Sequence, residues 1–147
     1  MSAIAIIRMK GKFTLSPRVN KTLEYLRLNR LYTCVLMQGS DSLNGMLQTC
    51  KDVVTYGALD EEALTLLLTK RGYTKNNKKI SEGKKPEEIR KLAKEVASGK
   101  PLSELAIRSV FFLAPPKGGF GERKAAAGQG GVLGKNAKIG EIIALMA

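Results

Sequence analysis

The sequence predicts an α+β protein folded as one compact body, and three observations carry that expectation. The runs AIAIIRM (3–9), LYTCVLM (31–37) and DVVTYG (52–57) have the length of strands rather than helices. The stretches between them place apolar residues at helical spacing, so residues 1–58 read β-α-β-α-β. Residues 59–147 then turn to helical patterns, with one edge strand, a glycine-rich basic loop and a closing helix. At 147 residues and 44% hydrophobic composition, the chain can bury one domain-sized core.

The elements follow in order. Ala3 to Met9 is apolar without alternation, as a buried strand should be. Ser16 and Pro17 supply an N-cap and a first-turn proline for a helix whose stripe is Val19, Leu23 and Leu26. Leu31 to Met37 is the second strand. Leu43, Met46, Leu47 and Cys50 then fall at i, i+3, i+4 and i+7, a second helix after the polar GSDS. Asp52 to Gly57 closes the unit as a third strand. Both helices need the same apolar face for cover, and the pattern by itself suggests parallel crossovers.

Beyond this unit, Asp60 caps a third helix with Glu61 and Glu62 in its first turn and Lys70, Arg71 and Gly72 at its end. Pro86, Glu87 and Glu88 open a fourth, with Ile89, Leu92, Ala93 and Val96 as its stripe and Gly99 as its stop. PLSEL is a short helical turn, and Ser109 to Leu113 is an edge strand stopped by Pro115 and Pro116. Ile139, Ile142, Ile143 and Met146 form the closing helix.

Charge indicates the partner. Lys and Arg number 25 against 13 Asp and Glu, a net +12, and a domain this basic answers a polyanion. The charge comes in blocks. Residues 1–30 carry +6 with Glu24 as their only acid, residues 70–100 carry +7 and the tail from Ala114 carries +3, whereas residues 31–69 carry −4. The acidic middle is expected to face solvent or protein. Phosphate contacts are expected from Arg8, Lys10, Lys12, Arg18, Lys21, Arg27 and Arg30 in the first block. Lys75, Lys78, Lys79, Lys84 and Lys85 extend them in the second, and Lys117, Arg123, Lys124 and Lys135 in the third. In the glycine-rich stretch from Ala114 to Lys135, Gly118 and Gly119 let the backbone approach a polyanion, and Phe120 can stack on a base. That stretch is expected to gain its order on binding.

Other chemistries are disfavoured. The chain has no histidine, and so lacks the usual general base and the commonest metal ligand. Cys34 and Cys50 match no metal or redox spacing and read as small buried hydrophobes. A phosphate-binding Walker loop fails at Gln129 and Asn136, and a dinucleotide fingerprint fails at Leu133. No run of about 18 apolar residues suggests a membrane span. An enzyme is not expected, nor are cofactors, metals or a small-molecule substrate. Nothing presents Asn, Gln and Arg as a recognition helix for duplex DNA, so folded RNA fits better.

The residues from Ile6 to Gly57 resemble the large-subunit ribosomal protein thirty family. The matching points include Lys10-Gly11, Leu26-Arg27-Leu28, Gly45-Met46-Leu47, Lys51-Asp52-Val53-Val54-Thr55 and Arg71-Gly72. Pro115 to Phe120, followed by GGVLG, is similar to the archaeal and eukaryotic branch, and a start directly at the first strand looks archaeal. Tyr56 stands where the family often has tryptophan. The resemblance implies a three-stranded antiparallel sheet with two helices on one face, related to the ferredoxin-like split β-α-β, over residues 1–58, with residues 59–147 as a helical extension. It also implies a cytoplasmic structural component of the large ribosomal subunit, bound to 23S rRNA near 5S rRNA and beside other large-subunit proteins. A non-ribosomal RNA-binding adaptor is the alternative.

Overall fold

A computed structural model describes residues 3–9, 17–51, 53–76, 78–83, 85–98, 107–113, 134–135 and 139–146. Its sheet has five strands: β1 (Ala3–Arg8), β2 (Thr33–Gln38), β3 (Val54–Ala58), β4 (Val110–Phe112) and β5 (Gly134–Lys135), in the order β4-β2-β1-β3-β5. β1 is central and antiparallel to both β2 and β3, with Ile6 opposite Val35 on one side and Tyr56 on the other. Thus β2 and β3 run the same way with β1 between them, a split β-α-β. Periodicity carries no strand direction, and the parallel crossovers that the pattern suggested give way to this antiparallel order. The sheet also exceeds the expected three strands, because the predicted edge strand joins as β4 against β2 and β5 pairs parallel with β3.

Helices cover both faces. Helix α1 (Pro17–Tyr25) and helix α2 (Asp41–Cys50) pack together on one face. There Leu23, Leu26, Leu43, Leu47 and Cys50 bury Ile6, Val35 and Val54. On the other face lie α3 (Glu61–Arg71), α5 (Pro86–Ala97) and α6 (Ile139–Met146), with the short α4 (Ile80–Gly83) beside them. Their Leu64, Leu67, Leu68, Ile89, Val96, Ile139 and Ile143 bury Ala5, Ile7, Cys34 and Leu36. Alternate residues of β1 therefore serve two cores, which is why its sequence is apolar throughout.

Local chemistry sets the ends of these elements. Ser40 accepts from Leu43 N at 3.1 Å and Asp60 accepts from Ala63 N at 2.8 Å, capping α2 and α3. Gly72 ends α3 in extended backbone (φ −78°, ψ 136°), so it needs no left-handed conformation there. It is glycine for space: a Cβ would fall against the Leu68 carbonyl oxygen and 2.9 Å from Ile80 Cδ1. Pro86 opens α5, which ends at Ala97 with Ser98 as its C-cap. Leu31 is not in a strand. It is 44% exposed in a turn, Tyr32 has φ 61°, and β2 begins only at Thr33. Cys34 and Cys50 are free, buried thiols. Expectations for Ser16, Asp52, Gly99 and residues 101–105 lie outside the described residues.

Candidate nucleic-acid interface

The strand order sorts charge to opposite ends of the sheet. Because β1 starts opposite Gln38 and Ala58, the ends of β2 and β3 share one side, where Asp41 opens α2 and Asp60, Glu61 and Glu62 open α3. At the other end β1 finishes at Arg8, opposite Val54, and the loop entering β2 carries exposed Arg27 and Arg30. Lys51, leading towards β3, is exposed at the same end. The two ends are a strand length apart, roughly 17 Å for five residues.

The loop from Leu26 to Tyr32 is built to hold its shape. Leu28 N donates to Leu23 O at 2.8 Å, Arg27 N to Glu24 O at 3.0 Å, and Tyr32 N to Arg8 O at 2.8 Å. Leu26 and Leu28 point into the core while Arg27, Asn29, Arg30 and Leu31 stay outside. Arg27 has φ 61°, as does Tyr32, and such backbone in bulky residues is kept only where the surroundings dictate it. Arg30 lies over the Phe112 ring, 5.7 Å from guanidinium carbon to centroid. Phe112 is 45% exposed and Tyr25 75%. This end thus combines cations with uncovered aromatic surface, which is what phosphate and unstacked bases require.

Arg8 requires a correction. Expected to meet phosphate, it is 2% exposed, and its Nη1 donates to Leu28 O at 2.7 Å. The guanidinium thus supports the loop from beneath. Alternation along β1 explains this, since Ile4, Ile6 and Arg8 all face α1 and α2. Beside it is a cavity of about 170 Å³ lined by Arg8, Asn20, Leu23, Glu24, Leu28 and Asn29.

The other predicted cations divide by place. Arg18 and Lys21 are exposed on α1. Lys75, Lys78 and Lys79 belong to a tight hairpin where Tyr73 bridges Lys79 and Thr74 N donates to Lys78 O at 2.8 Å. Thr74 also bridges Ile107, at the start of the β4 segment, whereas Phe112 and Arg30 mark its finish. The basic groups therefore fall in two clusters, one beside Phe112 in β4 and one at the hairpin bridged to Ile107. Lys85, at the start of α5, is exposed. Lys10, Lys12, Lys84, Lys117, Gly118, Gly119, Phe120, Arg123 and Lys124 lie outside the described residues. Gly134 and Lys135, the end of the glycine-rich stretch, form β5 in the sheet itself.

Tyr25, Asn20, Glu24 and Asn29 were missed by sequence reasoning. Tyr25 carried a signal, since it falls off the Val19, Leu23, Leu26 stripe and so had to face outward. Among the described residues no cluster of His, Cys, Asp and Glu could hold a metal ion, and no helix is long and apolar enough to cross a membrane.

A split β-α-β sheet layered with helices on both faces, with exposed cations gathered at one end, defines a small ferredoxin-like α+β protein. Comparison with known proteins makes this specific. Residues 4–54 match the family described as Ribosomal protein L30p/L7e. The chain is 36% identical over 148 residues to a protein of Methanothrix thermoacetophila named Large ribosomal subunit protein uL30, covering 97% of this chain and 98% of that one. Proteins of the same name from Methanobrevibacter smithii and Nanoarchaeum equitans are 38% and 35% identical, over 88% and 97% of this chain and 89% and 97% of theirs. The chain belongs to the L30p/L7e family of ribosomal proteins, and its similarity to archaeal relatives runs through the C-terminal helices as well as the β-α-β-α-β unit.

Proposed function

We propose that this chain is a structural constituent of the large ribosomal subunit, without catalytic activity, that binds 23S rRNA near 5S rRNA and supports subunit assembly in the cytoplasm. The observation that carries the reading is the near full-length similarity to proteins named Large ribosomal subunit protein uL30. The charge arrangement supports it. Arg18, Lys21, Arg27 and Arg30 form the principal phosphate-binding group, and Lys75, Lys78 and Lys79 extend it at the hairpin bridged to Ile107, with Lys85 at the start of α5. Lys10, Lys12, Lys84, Lys117, Arg123, Lys124 and Lys135 join them on the strength of their charge, and Gly118, Gly119 and Phe120 on that of their composition. The acidic end, with Asp41, Glu61 and Glu62, turns from RNA towards neighbouring large-subunit proteins.

Two measurements test this. A tagged chain should co-sediment stoichiometrically with large subunits through moderate salt; a substoichiometric, salt-labile association would favour the adaptor reading instead. In isolation the protein should bind 23S rRNA with a steep salt dependence, because each neutralised phosphate releases counterions. Reversing Arg18, Lys21 and Arg27 together should flatten the logarithmic salt slope by about 2 to 3, whereas reversing Glu61 and Glu62 should leave affinity equal or higher. Equal losses from both sets would remove the basic end from the interface.

A further inference from the structure

We propose that the cavity beside Arg8 is a subsite for one extruded guanine of the bound RNA, an inference that rests on the RNA-binding reading. Four of its six lining residues are polar: Arg8, Asn20, Glu24 and Asn29. Glu24 is the only acid in the first thirty residues, a segment otherwise carrying seven cations, and it lines this cavity. A carboxylate there is a poor choice if the space is meant for phosphate. The Arg8 guanidinium, buried and anchored on Leu28 O at 2.7 Å, is equally poor for a metal cation. A neutral ligand rich in both donors and acceptors suits the pair.

A nucleobase is such a ligand: two apolar faces and a polar edge. Leu23 and Leu28 supply apolar wall, and the cavity of about 170 Å³ has room for one flat heterocycle. Among the bases, guanine alone places two adjacent donors, N1–H and the N2 amine, beside an acceptor, O6. A carboxylate accepts from the first two; the guanidinium and the carboxamides of Asn20 and Asn29 can donate to the third. Adenine would turn the lone pair of N1 towards the carboxylate. Asn20 and Glu24 stand one turn apart on α1 with exposed Lys21 between them, and exposed Arg27 follows in the loop, so phosphates flanking an extruded nucleotide would have both cations within the same stretch of chain.

The test is chemical footprinting of the full-length protein on 23S rRNA transcribed from the same genome. Kethoxal reports the Watson–Crick edge of guanines, and hydroxyl radicals report the sugar-phosphate backbone. Wild-type protein should protect one guanine from kethoxal within its backbone footprint. Glu24→Gln, which keeps the side-chain shape, and Asn20→Phe, which fills the cavity, should each re-expose that guanine and lower affinity about tenfold, with the backbone footprint retained. Glu24 is exposed on α1, so its variant reports even if the phenylalanine disturbs folding. A backbone footprint without such a guanine, or with one equally protected in Glu24→Gln, overturns the subsite and leaves RNA binding standing. No backbone footprint from the wild type overturns both.

Discussion

Arg8 and Leu28, twenty residues apart, are joined by a 2.7 Å hydrogen bond from the buried guanidinium to the backbone carbonyl, so the central strand holds the basic loop in place. Replacing Arg8 by Met should cost about 2 to 4 kcal/mol, because a charge-assisted bond is lost and a buried carbonyl is orphaned. Lysine should rescue little of this, since an ammonium is a compact, strongly hydrated point charge rather than a planar fork. Denaturant unfolding of the three proteins checks both statements; a stable Arg8→Lys would show that charge alone suffices.

Leu23 and Leu47 are 1% and 0% exposed, above the same face of the sheet. Leu23→Ala or Leu47→Ala should each destabilise the protein by about 2 to 5 kcal/mol. Calorimetric melting at equal protein concentration measures it, and unchanged melting of either variant would contradict the packing of α1 or α2.

Gly72→Ala should also destabilise, although the backbone there is open to any residue. The added methyl would press on the Leu68 carbonyl and on Ile80, and such overpacking costs about 1 to 3 kcal/mol. Shortening Ile80 to Val in the same chain should recover part of the loss, which a double-mutant cycle reads directly.

Burial pushes the Cys34 thiol up to about 12 and the Cys50 thiol up to about 11. An unfolded thiol titrates near 8.5, so above that pH the unfolded chain gives up protons that the folded chain keeps. Stability is therefore full below about pH 8.5 and falls as pH rises towards 12, by at most about 1.4 kcal/mol per pH unit and thiol. Urea unfolding at pH 7, 9 and 10 should show this fall more steeply in the wild type than in Cys34→Ala. Identical slopes would mean that Cys34 ionises in the folded protein.

Much of the fold is legible where periodicity reports which side meets a core. The stripes Ile89, Leu92, Ala93, Val96 and Ile139, Ile142, Ile143, Met146 are all buried as spaced, and Asp60 caps its helix. Strand direction was not legible from the pattern, because side-chain alternation is the same for parallel and antiparallel pairing; the family resemblance supplied it. The start of β2 was hidden as well. Leu31 and Tyr32 look like strand residues, but bonds from Tyr32 N to Arg8 O and from Leu113 N to Tyr32 O fix a turn there, and both are distant in sequence. In the candidate site, net charge named the segments, yet it could not tell that Arg8 points inward, since one step along a strand reverses the face. The two-residue β5 has no pattern at all.

The placement of β1 also constrains the order in which the chain can fold during its own synthesis. Residues 3–8 are made first, but their pairing partners at 33–38 and 54–58 arrive later, and the cover of Ala5 and Ile7 by α3, α5 and α6 later still. A nascent chain halted near residue 58 could close its first core and would leave Ala5, Ile7, Cys34 and Leu36 as a bare apolar plane. Such a plane is adhesive. Emergence of the C-terminal helices, rather than completion of the β-α-β-α-β unit, is then the moment at which this protein becomes safe to release from whatever shields it.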